Sequence, residues 1–227
     1  MASKEEAKED VLFDENFDEG DEDESKNVVE LLKQCLFNER AAPELLVFEA
    51  DIVQAAKQAL EAHTESLVEA RDNVQAEDDN HNTFQFSLFQ MDIDRVTYLL
   101  NAYLRTRLKK IEKFVLYILQ DQDDRLSTDE YKFAEGYLNL TEEHFIKSFL
   151  QFIPDKFREL TDNDKLVDMV PRPSLQQHVF LRVNTDVPAF PLTEDGEQEV
   201  DLAKGDVFAA SYFVFKDLLA EDKIALI

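Results

Sequence analysis

The chain is 227 residues long and sets 24 Lys and Arg against 50 Asp and Glu, a formal net charge of −26, yet 44% of its residues are hydrophobic and 18 are Phe. That apolar content excludes a disordered polyanion, and the length fits one or two domains. Four scattered glycines exclude dinucleotide loops, Walker-type phosphate loops and the serine nucleophile elbow, and a single Cys excludes a disulfide framework or a Cys-based zinc site within the chain. So acidic a surface repels phosphate backbones, so direct nucleic-acid binding by the isolated chain is not expected. No apolar run is long enough to span a bilayer, and the acidic N-terminus lacks a leader-like apolar stretch. The chain reads as soluble and intracellular.

Residues 1–26 read as an acidic disordered tail, with twelve acids and two lysines in the first 24 positions. Val11, Leu12, Phe13 and Phe17 inside it open a second reading beside that of a solubilising tail: a short acidic-aromatic peptide that docks on a partner. A helical domain is expected over 27–160. From Asn27, Val28, Val29, Leu31, Leu32, Cys35 and Leu36 fall at helical spacings, with Cys35 as a small apolar core residue. Pro43 is placed to open the second helix, because its missing N–H costs nothing in a first turn. Leu45, Ile52, Ala56, Leu60, His63 and Leu67 continue that helix to about Arg71. The polar stretch 72–83 reads as a long loop.

The third helix is the most strongly patterned segment. Ile93, Val96, Leu100, Leu104, Leu108, Ile111, Val115 and Ile118 form its stripe, and no Pro or Gly interrupts Phe84 to Gln120. One very long helix is expected there, a spine packed on other helices or other subunits. Ser127 and Glu130 predict a capping box at the start of a fourth helix. Ala134, Tyr137, Leu138, Phe145, Phe149 and Phe152 give that helix its apolar face, and Pro154 ends or kinks it.

After a linker over 161–168, a small β-rich domain is expected over 169–227. Pro171 and Pro173 force an extended or turn segment. His178 to Asn184 alternates with the period of a strand. Residues 194–197 read as a turn, Val200 to Leu202 as a strand, and Lys204-Gly205 as a second turn. Ser211 to Glu221 reads as a short helix and Ile224 to Ile227 as a last strand. The fold class is therefore mainly α: a helical bundle domain with a very long helix, followed by a small β-rich domain.

Little here resembles a catalytic constellation. The four histidines are far apart, and neither H-E-x-x-H nor Glu-x-x-His occurs. Asp121, Asp123 and Asp124 fail the calcium-loop pattern, with Leu126 and Lys132 where Gly and Glu are required. No catalytic, metal-ligating or cofactor-binding residue is expected. One feature runs against the general charge: Arg105, Arg107, Lys109, Lys110 and Lys113 cluster within nine positions. Arg105, Lys109 and Lys113 share one side of the helix and Arg107 lies on another. Two readings fit: an exposed face answering the acidic remainder, or a docking patch for an acidic partner. Leu218, Leu219, Ile224, Leu226 and Ile227 give the β-rich domain an apolar end on a module too small to bury much alone. They are a second candidate interface.

Several segments also resemble a known family. These are Ala42-Pro-Glu-Leu-Leu46, Arg105-x-Arg-Leu-x-Lys-Ile-Glu-Lys113, Leu126-Ser-x-x-Glu130-x-x-Phe-Ala134-x-x-Tyr137, Val170-Pro-Arg-Pro173 with Val179-Phe-Leu-Arg-Val183, Leu202-x-Lys-Gly205, and the terminal Ala225-Leu-Ile227. In this order and spacing the chain resembles the Sld-five type subunits of the GINS complex of eukaryotic DNA replication, over roughly residues 27–227. The resemblance implies a helical domain followed by a small β domain, and a nuclear heterotetramer with three Psf-type subunits. It implies that the tetramer joins the MCM ring and the Cdc-forty-five protein in the replicative helicase. It further implies a subunit without catalytic residues or cofactors. An N-terminal peptide that docks a replisome adaptor or polymerase is compatible with it. The −26 charge alone supports an alternative, a free-standing acidic module that binds histones or adaptors.

Overall fold

The computed structural model describes residues 19–73, 79–154, 163–164, 167–168, 170–191 and 199–227. Val11, Leu12, Phe13 and Phe17 lie outside the described residues, as does the turn expected at 194–197. Helix α1 spans Glu19–Ala41, beginning inside the acidic stretch, and α2 spans Ala50–Asn73. Helix α3 spans Asp79–Asp121, so it takes up part of the stretch expected as a long loop. A short 3-10 turn at Asp123–Arg125 leads into α4, Thr128–Ser148. The capping box forms as expected: the Glu130 N–H donates to Ser127 Oγ, and the Ser127 N–H donates to Glu130 Oε2.

Two apolar clusters hold the bundle. Leu32 and Leu36 of α1, Val53 and Ala56 of α2, and Leu100 and Tyr103 of α3 form the first. Leu45, Ile111, Phe114, Val115, Ile118 and Ala134 form the second, around the later part of α3 and the start of α4. The long helix is not uniform, for Phe114 leaves helical geometry at φ −122°, ψ 26°.

Pro43 does not open the second helix. Residues 42–49 connect α1 and α2 without helical structure. The reason lies in their carbonyls. Lys110 Nζ donates to the Glu44 carbonyl at 2.7 Å, Arg125 to that of Leu45 at 2.6 Å, and Arg107 to that of Leu46 at 2.8 Å. Backbone acceptors held by charged donors need no helical partner. Leu45 is thereby carried into the second cluster instead of the α2 stripe.

The C-terminal module is built on strand β3, His178–Val183, whose side chains alternate between exposed and buried. Upstream, in the stretch expected as a linker, the two-residue strands β1 (Asn163–Asp164) and β2 (Val167–Asp168) pair antiparallel. β3 is the middle of a three-stranded antiparallel sheet, between β6 (Val207–Ser211) and β7 (Ile224–Leu226). A separate ribbon pairs β4 (Val187–Pro191) with β5 (Glu199–Leu202). Helix α5, Tyr212–Ala220, buries Phe215, Leu218 and Leu219 against Val179, Leu181, Val183, Ile224 and Leu226. Strand β6 was not anticipated: the run from Val207 to Phe215 is apolar except for Ser211, the N-cap of α5, so no alternation marks the strand that precedes it.

The module is fastened to α1. The Leu226 N–H donates to Asn38 Oδ1 at 2.9 Å, and Gln34 Nε2 donates to the Leu226 carbonyl at 3.1 Å. Ala42 is part of the module's own core cluster. Among the described residues no helix is long and apolar enough to cross a membrane.

Candidate functional site: a buried ion network and open apolar faces

Along α3 the buried positions are Leu100, Tyr103, Arg107, Ile111, Phe114, Val115 and Ile118. Steps of three and four thus place a guanidinium in the core stripe. It is fully buried and makes five hydrogen bonds. Nε and a terminal nitrogen grip the Glu130 carboxylate at 2.8 and 3.0 Å. The remaining bonds go to Glu39 Oε2 at 3.1 Å and to the carbonyls of Leu46 and Arg125 at 2.8 and 2.9 Å. The Phe48 and Tyr103 rings flank the cation, with centroids 5.2 and 5.7 Å away. Every N–H of the guanidinium has an acceptor, which is what a buried charge requires.

Around it the network widens. Lys110 Nζ donates to Glu39 Oε1 at 2.7 Å. Arg125 pairs with Glu44 Oε2 at 3.0 Å, and Tyr212 of α5 donates to Glu44 Oε1 at 2.9 Å. Lys216 stands 3.8 Å from the same oxygen. Gln122 Nε2 adds bonds to Glu44 Oε2 and Tyr117 Oη, at 3.2 and 3.0 Å. Glu44 therefore ties the α1–α2 connection to the 3-10 turn and to the C-terminal module.

Burial disfavours the charge on Arg107, but the Glu130 and Glu39 carboxylates more than offset this and leave its pKa above the ordinary arginine value. For Lys110 burial wins over Glu39, and its pKa falls. Burial pushes the Tyr103 hydroxyl up to about 12. Burial and then the Glu44 carboxylate hold the Tyr212 hydroxyl above the usual tyrosine range. The network holds charges in place; among the described residues no group of three or more His, Cys, Asp or Glu is placed to hold a metal ion.

The residues singled out from sequence divide sharply. Arg105, Lys109 and Lys113 are exposed along α3, while Arg107, set apart from them, is the buried hub. Leu218, Leu219, Ile224 and Leu226 are not open to a partner, because α5 and β7 spend them on the module's own core. Ile227 alone of that group stays half exposed. The signal missed was an arginine four residues from both Tyr103 and Ile111, in register with the apolar stripe.

Large apolar side chains stay uncovered elsewhere. On α3 these include Phe84, Phe89, Met91 and Tyr98; on and after α4 they include Leu140, Ile146, Phe149 and Phe152, the last 78% exposed. Of the α4 face expected from sequence, only Ala134 is buried. A groove of about 490 Å³ opens between α1, α2 and α3, lined by Val28, Leu60, His63, Phe86, Phe89 and Ile93 among others.

A helical bundle with a buried charge network at its centre, a small sheet clamped to its first helix and broad apolar faces left open has the architecture of a helical scaffold. Comparison with known proteins narrows this. Residues 49–160 match the family model for the GINS complex protein helical bundle domain, and residues 173–227 match that for the DNA replication complex GINS protein SLD5 C-terminus. The DNA replication complex GINS protein SLD5 of Arabidopsis thaliana is 34% identical over 210 residues, covering 89% of this chain and 92% of that protein. The Rattus norvegicus protein of that name is 30% identical over 230 residues, covering 95% and 97%. The Schizosaccharomyces pombe protein is 32% identical over 193 residues, covering 84% and 87%. The chain belongs to the SLD5 family of GINS proteins.

Proposed function

We propose that this chain is a non-catalytic structural subunit of a heterotetrameric GINS complex in DNA replication. In this reading it assembles in the nucleus with three Psf-type subunits, and the tetramer joins the MCM ring and the Cdc-forty-five protein in the replicative helicase. The observation that carries the reading is the family match of both modules, in order, within one chain. The open apolar faces of α3 and α4 support it, because uncovered surface of this kind is costly in water and favours subunit burial.

Within that assembly we assign the exposed Arg105, Lys109 and Lys113 to an acidic neighbour, with Ile227 as a small apolar contact. The segment holding Val11, Leu12, Phe13 and Phe17 is assigned to an adaptor or polymerase. Native mass spectrometry of the complex recovered with this chain from nuclear extract tests the reading. Four different small subunits in equal numbers, found also on a hexameric motor, are expected. A lone chain, or basic proteins in variable ratio, would overturn it in favour of an acidic binding module.

A further inference from the structure

The two edges of the β6–β3–β7 sheet are treated differently. Along β7 the outward N–H and carbonyl of Leu226 are taken by Asn38 and Gln34 of α1, so α1 blocks that edge at Leu226. Along β6 nothing comparable happens. The Tyr212 N–H donates to the Gln177 carbonyl and the Val183 N–H to that of Asp206, both at 2.9 Å. Alternation then makes Val179–Ala210 and Leu181–Phe208 the hydrogen-bonded pairs. The intervening pairs, Arg182–Val207 and Phe180–Ala209, turn the backbone groups of Val207 and Ala209 away from β3. Among the described residues these groups have no partner.

Edge strands are ordinarily blunted by Lys, Pro or a bulge. The sequence Val-Phe-Ala-Ala-Ser has no charge and no Pro, and its pairing with β3 runs without a register shift. Val207 and Ala209 are exposed beside Phe180, itself 64% exposed. His178 and Arg182 flank Phe180 on the same face, and neither has an ion-pair partner among the described residues.

We propose that β6 is a site of strand addition, which takes an extended segment of a partner protein with alternating aliphatic and acidic residues. Unpaired strand N–H and carbonyl groups recognise an extended backbone and nothing else as well. The aliphatic set continues the side lined by Phe208 and Ala210. The acidic set lies over Val207 and Ala209 with its carboxylates toward Arg182 and His178.

The test uses the full chain and a short labelled peptide of alternating Val and Glu, with a peptide of the same composition in two blocks as control. Binding is read by fluorescence anisotropy and by hydrogen exchange across 207–211. The alternating peptide should bind and slow exchange there. Ala209→Pro removes an outward N–H without breaking a sheet bond and should weaken binding roughly tenfold or more. Val207→Lys, which leaves the backbone intact, should weaken it too, and Arg182→Glu should weaken it most at low salt. Equal binding of the block peptide, or undiminished binding by folded Ala209→Pro and Val207→Lys chains, would overturn the proposal. So would a concentration-dependent dimer lost on Ala209→Pro, since a second copy would then be the occupant.

Discussion

Arg107 shows how a residue can sit in a core position and still be an ion. Its two carboxylate partners come from α1 and α4, and its carbonyl partners from the two connections that flank the bundle. Replacing it by Met would leave Glu130 buried beside an apolar side chain and Glu39 with Lys110 alone. Arg107→Met is therefore expected to cost about 3–5 kcal/mol, measured by denaturant unfolding of the full chain. A cost under about 1 kcal/mol would mean that the network relaxes and is not a keystone. Cys35 makes a second residue-scale test. Burial first, then the Glu49, Asp222 and Glu39 carboxylates, push its thiol up to about 11. Alkylation near neutral pH should be far slower than for a small thiol, and should rise roughly tenfold per pH unit toward that value. Rapid, pH-flat labelling would show that the site opens to water.

At the scale of elements, two glycines of opposite meaning can be compared. Gly205 turns the chain between β5 and β6 at φ +95°, and its N–H donates to the Val183 carbonyl at 2.8 Å. Gly136 lies inside α4, with open space where a Cβ would sit. Gly205→Ala should cost about 1–2 kcal/mol because an L side chain resists that backbone conformation. Gly136→Ala should instead stabilise by about 0.5–1 kcal/mol through helix propensity. Thermal unfolding of both variants checks the pair of signs. The elements themselves were largely legible. The capping box, the alternation of β3 and the turn at Gly205 each rest on local rules, and each appears in the structure. What failed depended on distant partners. The connection 42–49 is non-helical because Arg107, Lys110 and Arg125, more than sixty residues away in sequence, hold its carbonyls. The break at Phe114 carries neither Pro nor Gly to announce it. The apolar C-terminal residues looked like an interface because nothing local says that α5 and β7 will fold onto the same sheet.

For the molecule as a whole, Glu44 is the joint. It meets Arg125 of the helical domain and Tyr212 of the C-terminal module. A double-mutant cycle of Glu44→Gln and Tyr212→Phe should give a coupling of about 0.5–3 kcal/mol, as for residues sharing one network. Additive effects would mean that the Glu44–Tyr212 bond contributes nothing to the joint. A chain ending at Lys165 lacks Tyr212, Lys216 and β7, and should assemble more weakly with its partner subunits; full assembly by that chain would refute this. The same joint sets an order in time. Glu44 waits for a hydroxyl 168 residues downstream, and Asn38 for a strand 188 residues downstream. At about 5–20 residues per second of synthesis, those two bonds wait roughly 10–40 s for their donors. Strand β7 is also made after β6, so β3 gains that second neighbour later than its first. Helix α1 therefore emerges already carrying the receptor for β7, and the fold closes only once that strand has been made.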